Sequence, residues 1–463
     1  MQKEFTKISQ KILNLIKIQK FDIAKKNILL LKKLNSPAEI ILALEGVIEA
    51  GKKNYESSIA KFIEAIKFNP NYLFSYINIV SVYEKLKKFD IAEEYIKKAL
   101  KLKNDSDVLN NTMGYNLFKQ NRVNEAINFF EISININPLN YKAFFNLGNS
   151  YFKLSDYKNA IKFFNKTIKI NINCPEVHFF LAESLKNIEK YEEALINYKV
   201  AQKEKNTWLR KEKINAKILE IYLILNKKED YIKDIFIYSK EDPDNRRIAA
   251  TSAFIAHQFN VKDQYPFCPN PLDFIYKSTL ENYVNDYQVF LDSLFDEIMS
   301  LNFVWEGHTT RNGYRTTENL SEKKLPLMSR LEKYILLELN KYYQIHKHKK
   351  ITFIQNWPNK FKFQSWSNRL TKQGHNITHI HPGGWISAVF YLKIPKDIKN
   401  NEAGIEFSLH GDNYYVVNNN IPTKVLHPAE GNIVLFPSSL FHKTIPFESD
   451  EERVSVAMDL CKY

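Results

Sequence analysis

Over the first two hundred residues, apolar side chains recur three and four positions apart between lysines, asparagines and glutamates, the spacing of amphipathic helices. A longer period lies on top of it. A small residue returns at Ala24, Ser58, Ala92, Ala126, Ala160 and Ala194, each 34 positions after the last. Three positions before each stands Phe21, Tyr55, Phe89, Val123, Tyr157 or Tyr191, and four positions after stands Ile28, Phe62, Ile96, Phe130, Phe164 or Tyr198. Twelve positions before come Gly46, Gly114, Gly148 and Ala182, with Val80 out of line. Pro70 and Pro138 fall where one unit hands over to the next, since proline can begin a helix but not continue one.

After Lys350 the period shortens to two. ITFIQNW, FKFQSWS, WISAVFYLKI, GIEFSL, NYYVV, NIVLFP and ERVSVAMDL are short runs rich in β-branched and aromatic residues, divided by glycine, proline or asparagine. They predict antiparallel strands of a jelly roll or small barrel. Between the two patterns, helical periodicity continues from Leu209 to about Lys240, with Lys228 where the next small residue would fall, as in a degenerate pair capping a stack. Asp242-Pro243-Asp244-Asn245 and Pro266, Pro269-Asn270-Pro271 then bracket a short helical stretch, Ile248 to Phe259. From Pro271 to Tyr343, ENYVNDYQVFLDSLFDEIMS and LMSRLEKYILLELNKYY read as helices on either side of a polar loop. The expected domains are 1–240, a linkage over 241–275, and 276–463.

The 34-residue ladder resembles the tetratricopeptide repeat, over about residues 5 to 206. A generic helical bundle has no reason to keep that register six times. The resemblance implies helix–turn–helix units stacked into a right-handed superhelix, whose concave groove holds a protein or peptide. The expected fold is thus an N-terminal α-solenoid followed by a C-terminal double-stranded β-helix, or jelly roll, with flanking helices.

Composition narrows the setting. The formal net charge of +14 could signal an acidic partner, but the lysines are scattered through the helical pattern and form no patch, so specific nucleic-acid binding is not expected. Cys174, Cys268 and Cys461 are odd in number and far apart, which suggests neither a disulfide framework nor a zinc site and fits a reducing compartment. The first twenty residues lack the apolar core and cleavage site of a secretory signal, and no stretch approaches the roughly 18 apolar residues of a membrane span. The expected location is the cytoplasm.

Six of the eleven histidines lie in the β-rich stretch: His375, His379, His381, His410, His427 and His442. His379 and His381, two apart in an extended segment, point to one face, as two ligands of one metal must. His442 follows the run NIVLFPSS, where a neighbouring strand could return a third imidazole to the same point. Arg453 and Ser455 share one strand face, a fork and a hydroxyl suited to a carboxylate. His375, His410 and His427 read as loop histidines. His346 and His348 repeat the H-x-H spacing among lysines, without strand character.

The order HIHPGGWISAVFYLKIP, GIEFSL, EGNIVLFPSSLFHKTIP and ERVSVAMDL, with WEGHTTRNGYRTTENL and FKFQSWSN upstream, resembles the iron(II)- and 2-oxoglutarate-dependent oxygenases over about residues 300 to 460. That resemblance implies His379 and His442 as first and last ligands of Fe(II) and His381 at the middle ligand position. It implies Arg453 and Ser455 at the distal carboxylate of 2-oxoglutarate, and a hydroxylation that consumes O2 and releases succinate and carbon dioxide. The wider superfamily has H-x-D or H-x-E, so here His381 either ligates or stands aside. Tyr391 could hydrogen-bond 2-oxoglutarate, though packing in the core is the favoured reading, as it is for Trp366 and Trp385. Two alternatives stay open. One is a cupin independent of 2-oxoglutarate, approximated by Gly374 before the H-x-H and Gly431 before Pro437 and His442, although its glutamate is missing. The other is a repeat scaffold whose roll no longer catalyses.

Overall fold

The computed structural model describes the chain except residues 1, 172–173, 204–210, 306–308 and 412–413. It forms two compact units, 1–207 and 208–463.

The first unit is a row of helical hairpins, from Gln2–Lys17 with Phe21–Lys33 to Pro175–Asn187 with Tyr191–Lys203. Ala24, Ser58, Ala92, Ala126, Ala160 and Ala194 are all fully buried. The glycine twelve positions earlier makes room for a ring. A Cβ on Gly46, Gly114 or Gly148 would stand 2.8, 2.6 or 2.4 Å from Phe62, Phe130 or Phe164. Val80 is therefore no anomaly: the residue sixteen positions on is Ile96, and the two share one cluster. The first hairpin pairs Ile12 with Ile28 in the same way. Each unit fills its space with large on small or medium on medium.

Another 34-residue register lies in the backbone. Gln19, Lys53, Lys87, Asn121, Ser155 and Glu189 all have φ between 57° and 67°. Each closes the first helix of its hairpin: at Lys87 and Lys88 the amides donate to the carbonyls of Glu84 and Tyr83, a left-handed cap. Glycine is the usual residue there and none of the six is glycine, which hides this register from a reading of residue types.

Helices Lys211–Ile224, Lys228–Glu241 and Arg246–Phe259 count with the second unit, so the compact units divide at 207 where the periodicity had placed the end of the array at 240. Their partners explain this. Tyr231 donates to Thr251 Oγ1 at 3.0 Å, Arg246 Nε to the Pro382 carbonyl at 3.1 Å, and Gln258 Nε2 to the Asn418 carbonyl at 3.0 Å. The start of this stretch at Leu209 lies outside the described residues.

The second unit carries ten strands among the described residues: β1 Tyr276–Thr279, β2 Phe303–Trp305, β3 Thr310–Thr316, β4 Phe361–Asn376, β5 Ile386–Lys393, β6 Ile405–Ser408, β7 Thr423–Leu426, β8 Asn432–Pro437, β9 Phe441–Thr444 and β10 Arg453–Lys462. Seven form one sheet in the order β1-β8-β5-β10-β4-β3-β2, and β7-β6-β9 form a second. Every pairing is antiparallel. Val389, Tyr391, Ile405, Phe407, Val434 and Phe436, drawn from both sheets, pack in one core cluster. This is the expected roll, with Tyr287–Met299 and Pro326–His346 as the flanking helices.

Three local expectations change. The polar loop between those helices contains β2 and β3, whose polar residues hid them; of WEGHTTRNGYRTTENL, Glu306, Gly307 and His308 lie outside the described residues. ITFIQNW contains a helical turn, Thr352–Gln355, which puts Phe353 against the buried Trp385. NYYVV forms no strand among its described residues, and the edge position belongs to the more polar Thr423–Leu426.

Candidate metal centre

Period-two alternation builds the site. On β10, Arg453, Ser455, Ala457 and Asp459 share a face; on β4, Asn368, Trp366 and Gln364 lie opposite Ser455, Ala457 and Asp459; on β5, Tyr391, Val389 and Ser387 do the same. These side chains, except Ser387, line a cavity of about 300 Å³ that Ile405, His442 and Thr444 close from the second sheet.

The H-x-H segment is not a regular strand. His379 and His442 pair as a single bridge, each amide donating to the other's carbonyl at 3.1 Å, and the His381 amide donates to the Ser438 carbonyl at 3.0 Å. Those contacts bring the three imidazoles together, with ring centroids 4.4 to 5.0 Å apart and ligand atoms all within 4.8 Å. Among the described residues no other group of three histidine, cysteine or acidic side chains gathers in this way.

Tautomers follow from the acceptors. His379 Nδ1 lies 2.7 Å from the Ile377 carbonyl, His442 Nδ1 3.1 Å from the Leu440 carbonyl, and His381 Nδ1 2.5 Å from Asp459 Oδ1. Each Nδ1 thus carries the proton and donates, leaving the Nε2 lone pair free. Burial first, and then the neighbouring imidazoles, hold His379 down to about 4 and His442 well below the ordinary histidine value, so both are neutral. Yet Nε2 of His379 and Nε2 of His381 face each other at 3.0 Å. Two lone pairs at that distance repel unless a proton or a metal ion is shared between them. Nitrogens about 2.1 Å from one metal at a right angle stand about 3.0 Å apart. The donor set therefore fits a metal, and all three histidines are in place to hold it.

Arg453 is 2% exposed. Its Nε donates to the Ala403 carbonyl at 3.0 Å and its Nη1 approaches Ser455 Oγ at 3.4 Å, with the Tyr391 ring 5.0 Å away. No carboxylate pairs with it among the described residues. A guanidinium so buried requires an anion. The Tyr391 hydroxyl beside it is buried with no hydrogen-bond partner at full geometry, and burial, opposed by the adjacent Arg453 guanidinium, pushes its pKa up to about 12. Core packing, the favoured reading for Tyr391, holds for its ring; the hydroxyl is an orphan in the cavity wall. An oxyanion seated against Arg453, Ser455 and Tyr391 would satisfy both.

Trp385 is buried as expected, its Nε1 donating to the Phe353 carbonyl. Trp366 is not core: it is half-buried in the cavity wall, 5.5 Å from the His381 ring, with Arg315 stacked 4.3 Å over it. His375, His410 and His427 stay outside the triad; His410 stacks on Phe254. The cupin-like glycines have local reasons. Gly431 takes φ 77° and leaves room for the Tyr287 hydroxyl, while a Cβ on Gly374 would meet the Thr371 carbonyl at 2.4 Å. Sequence reading missed Asp459, although its place six residues after Arg453 puts it on the same face.

Residues 364–459, which contain the three histidines, Tyr391, Arg453, Ser455 and Asp459, match the family described as "Putative 2OG-Fe(II) oxygenase". Residues 75–106 match the tetratricopeptide repeat, and residues 119–201 match subunit 3 of the anaphase-promoting complex, or cyclosome. No curated protein matches the chain. Among solved structures, PilF of Pseudomonas aeruginosa is 18% identical over 47% of this chain and 97% of its own, with a TM-score of 0.41. The type IV pilus biogenesis factor PilW is 19% identical over 46% and 96%, at 0.41. YrrB, a tetratricopeptide repeat protein with an unusual peptide-binding site, is 20% identical over 41% and 95%, at 0.35. The chain carries tetratricopeptide repeats in its N-terminal part and, at its C-terminal end, a domain of the 2OG-Fe(II) oxygenase family.

Proposed function

We propose that the C-terminal domain is an Fe(II)- and 2-oxoglutarate-dependent dioxygenase that hydroxylates a C–H bond, and that the repeats recruit a protein or peptide substrate. One observation carries the reading: three converging imidazoles and an unpaired buried guanidinium line the same cavity. His379, His381 and His442 would hold Fe(II) through Nε2. Arg453, with Ser455 and Tyr391, would grip the distal carboxylate of 2-oxoglutarate and so orient the keto acid toward the histidines. Fe(II) with 2-oxoglutarate and O2 supplies the oxidation of C–H to C–OH, coupled to formation of succinate and carbon dioxide. The apolar side chains between the sheets, Val389, Ile405 and Ala457, keep the inner wall dry. Trp366 and Arg315 stand on the half-exposed side, where a substrate would enter.

Freshly prepared anaerobic protein is expected to take up one Fe(II) and one 2-oxoglutarate, and His442→Ala to take up neither. Admission of oxygen together with host extract is expected to release succinate and give a peptide heavier by one oxygen atom. Metal-loaded protein that neither binds 2-oxoglutarate nor yields succinate would sink the oxygenase reading and leave a cupin-like or purely binding roll.

A further inference from the structure

Among the described residues, Asp459 is the one acidic side chain lining the cavity that holds the triad. It is 8% exposed and lies behind His381, with Oδ1 2.5 Å from Nδ1 and 2.9 Å from Ser387 Oγ. Ser387 Oγ is in turn 2.8 Å from Ser438 Oγ, on the segment whose carbonyl receives the His381 amide. A Cβ on Gly384 would press on Ser438 Oγ at 2.5 Å and on Asp459 at 3.3 Å. Ser387 and His381 thus meet the carboxylate at the same oxygen, Oδ1, while Gly384 leaves room for its Cβ and Cγ.

Charge counting gives this contact a meaning. A divalent metal on two histidines and a carboxylate, beside one arginine, has a net charge of plus two, which a dicarboxylate dianion neutralises. Three neutral imidazoles leave the sum at plus three, unless a negative charge is returned from nearby. We propose that Asp459 is the carboxylate missing from the middle ligand position, moved one bond outward: it orients His381 Nε2 and supplies through the imidazole the negative charge that an aspartate in place of His381 would bring. This rests on the reading of the triad as a metal centre. Asp459 is a positioning residue and touches neither metal nor co-substrate.

The consequence is an effect of opposite sign on two ligands. Asp459→Asn keeps an oxygen to accept from Nδ1–H but removes the charge. Affinity for Fe(II), or for Co(II) as an oxygen-stable probe, is expected to fall about 10- to 100-fold, as for other outer partners of ligating histidines. The affinity of the metal-saturated variant for 2-oxoglutarate is expected to be unchanged or tighter, because the cavity is more positive. A merely structural lesion would weaken both. The double variant His381→Asp with Asp459→Asn returns the carboxylate to the metal and is expected to recover Co(II) affinity to within about threefold of the parent; it also decides the matter if the single variant misfolds. The proposal is overturned if Asp459→Asn binds Co(II) as the parent does, if it loses metal and 2-oxoglutarate together, or if the double variant binds no better than the single. His442→Ala separates the two levels. If that variant still holds Co(II), the metal centre itself is wrong; if it loses Co(II) while Asp459→Asn does not, only the role of Asp459 fails.

Discussion

In the repeat array Phe130 packs on Gly114, sixteen residues earlier, and the same contact recurs at Phe62 on Gly46 and Phe164 on Gly148. In the roll His442 bridges to His379, sixty-three residues earlier, and no second copy exists. The array holds together through short-range apolar contacts repeated at a fixed interval, so each position has several others that perform its task. The roll lines its cavity with polar groups that the described residues satisfy only in part: three imidazole lone pairs, one guanidinium without a carboxylate and one phenol hydroxyl. Buried polar atoms without partners are destabilising, typically by about 1–3 kcal/mol each and more when charged. The array has such atoms too, on Ser36, Ser75, Glu84, Asn116 and Asn149, but they are spread along the repeats, whereas the three imidazoles, Arg453 and Tyr391 face one cavity, where a ligand would complete their bonding. In the array, by contrast, a substitution should register as lost stability.

The largest expected effect is at Arg453. Arg453→Met keeps much of the packing and removes the cation, so affinity for 2-oxoglutarate is expected to fall about 100-fold or more, as when one partner of a buried ion pair is deleted. Metal uptake should stay near the parent level, since no histidine contacts Arg453. Isothermal titration with Fe(II) and 2-oxoglutarate separately, under anaerobic conditions, checks both halves. Equal 2-oxoglutarate binding by parent and variant would erase the contrast between the two faces of the cavity.

Next comes the array's complementary packing. Gly148→Val drives a branched side chain into Phe164, where even a Cβ would lie 2.4 Å from the ring, and overpacking of this kind costs about 1–3 kcal/mol. Phe164→Ile added to it recreates the Val80 and Ile96 pair and is expected to restore most of the loss. Denaturant unfolding of the single and double variants measures the coupling. Additive effects, with no rescue, would mean that the 34-residue register reports only ancestry and not interchangeable packing.

These differences also explain what could be read from residue order alone. Ala126, Gly114 and Phe130 announced themselves because their neighbours in space lie within one repeat, and β4, β5, β8 and β10 because their pattern of apolar residues is local. His379, His381, His442, Arg453 and Ser455, which the structure brings to one cavity, could be picked out as candidates by their two-residue spacing and their order along the strands. Asp459 was hidden, since aspartate is common and only the pairing of β10 with β5 brings it behind His381. Strands β2 and β3 were hidden because Thr310–Thr316 is polar and its pairing, not its own composition, makes it a strand. The left-handed turns at Lys53 and Lys87 were hidden for the opposite reason: the repeat imposes the conformation on residues that do not favour it.

The smallest effect tests whether the array too has a polar group at odds with its burial. Glu84 lies on Leu73–Lys85, lining a shallow cavity with Asn111, Tyr115 and Asn146 from the Asp107–Lys119 and Tyr141–Lys153 helices. Its Oε1 is buried without a partner, and burial raises its pKa to about 7, with Lys119 opposing. The neutral form is favoured in the folded chain, so folding takes up a proton between the ordinary carboxyl value and about 7. Stability from this group is complete below about 4.5 and declines as pH rises toward and through about 7. With its partial exposure to solvent the span is about 1 kcal/mol, well below the bare shift. Glu84→Gln is expected to remove that slope and to stabilise the array slightly above pH 7, seen as slower amide exchange in peptides covering residues 73–119. A slope that survives in Glu84→Gln would assign the pH dependence to another carboxyl. A slope that vanishes would assign it to Glu84 and show that the repetitive half of the molecule also holds a carboxyl at odds with its burial.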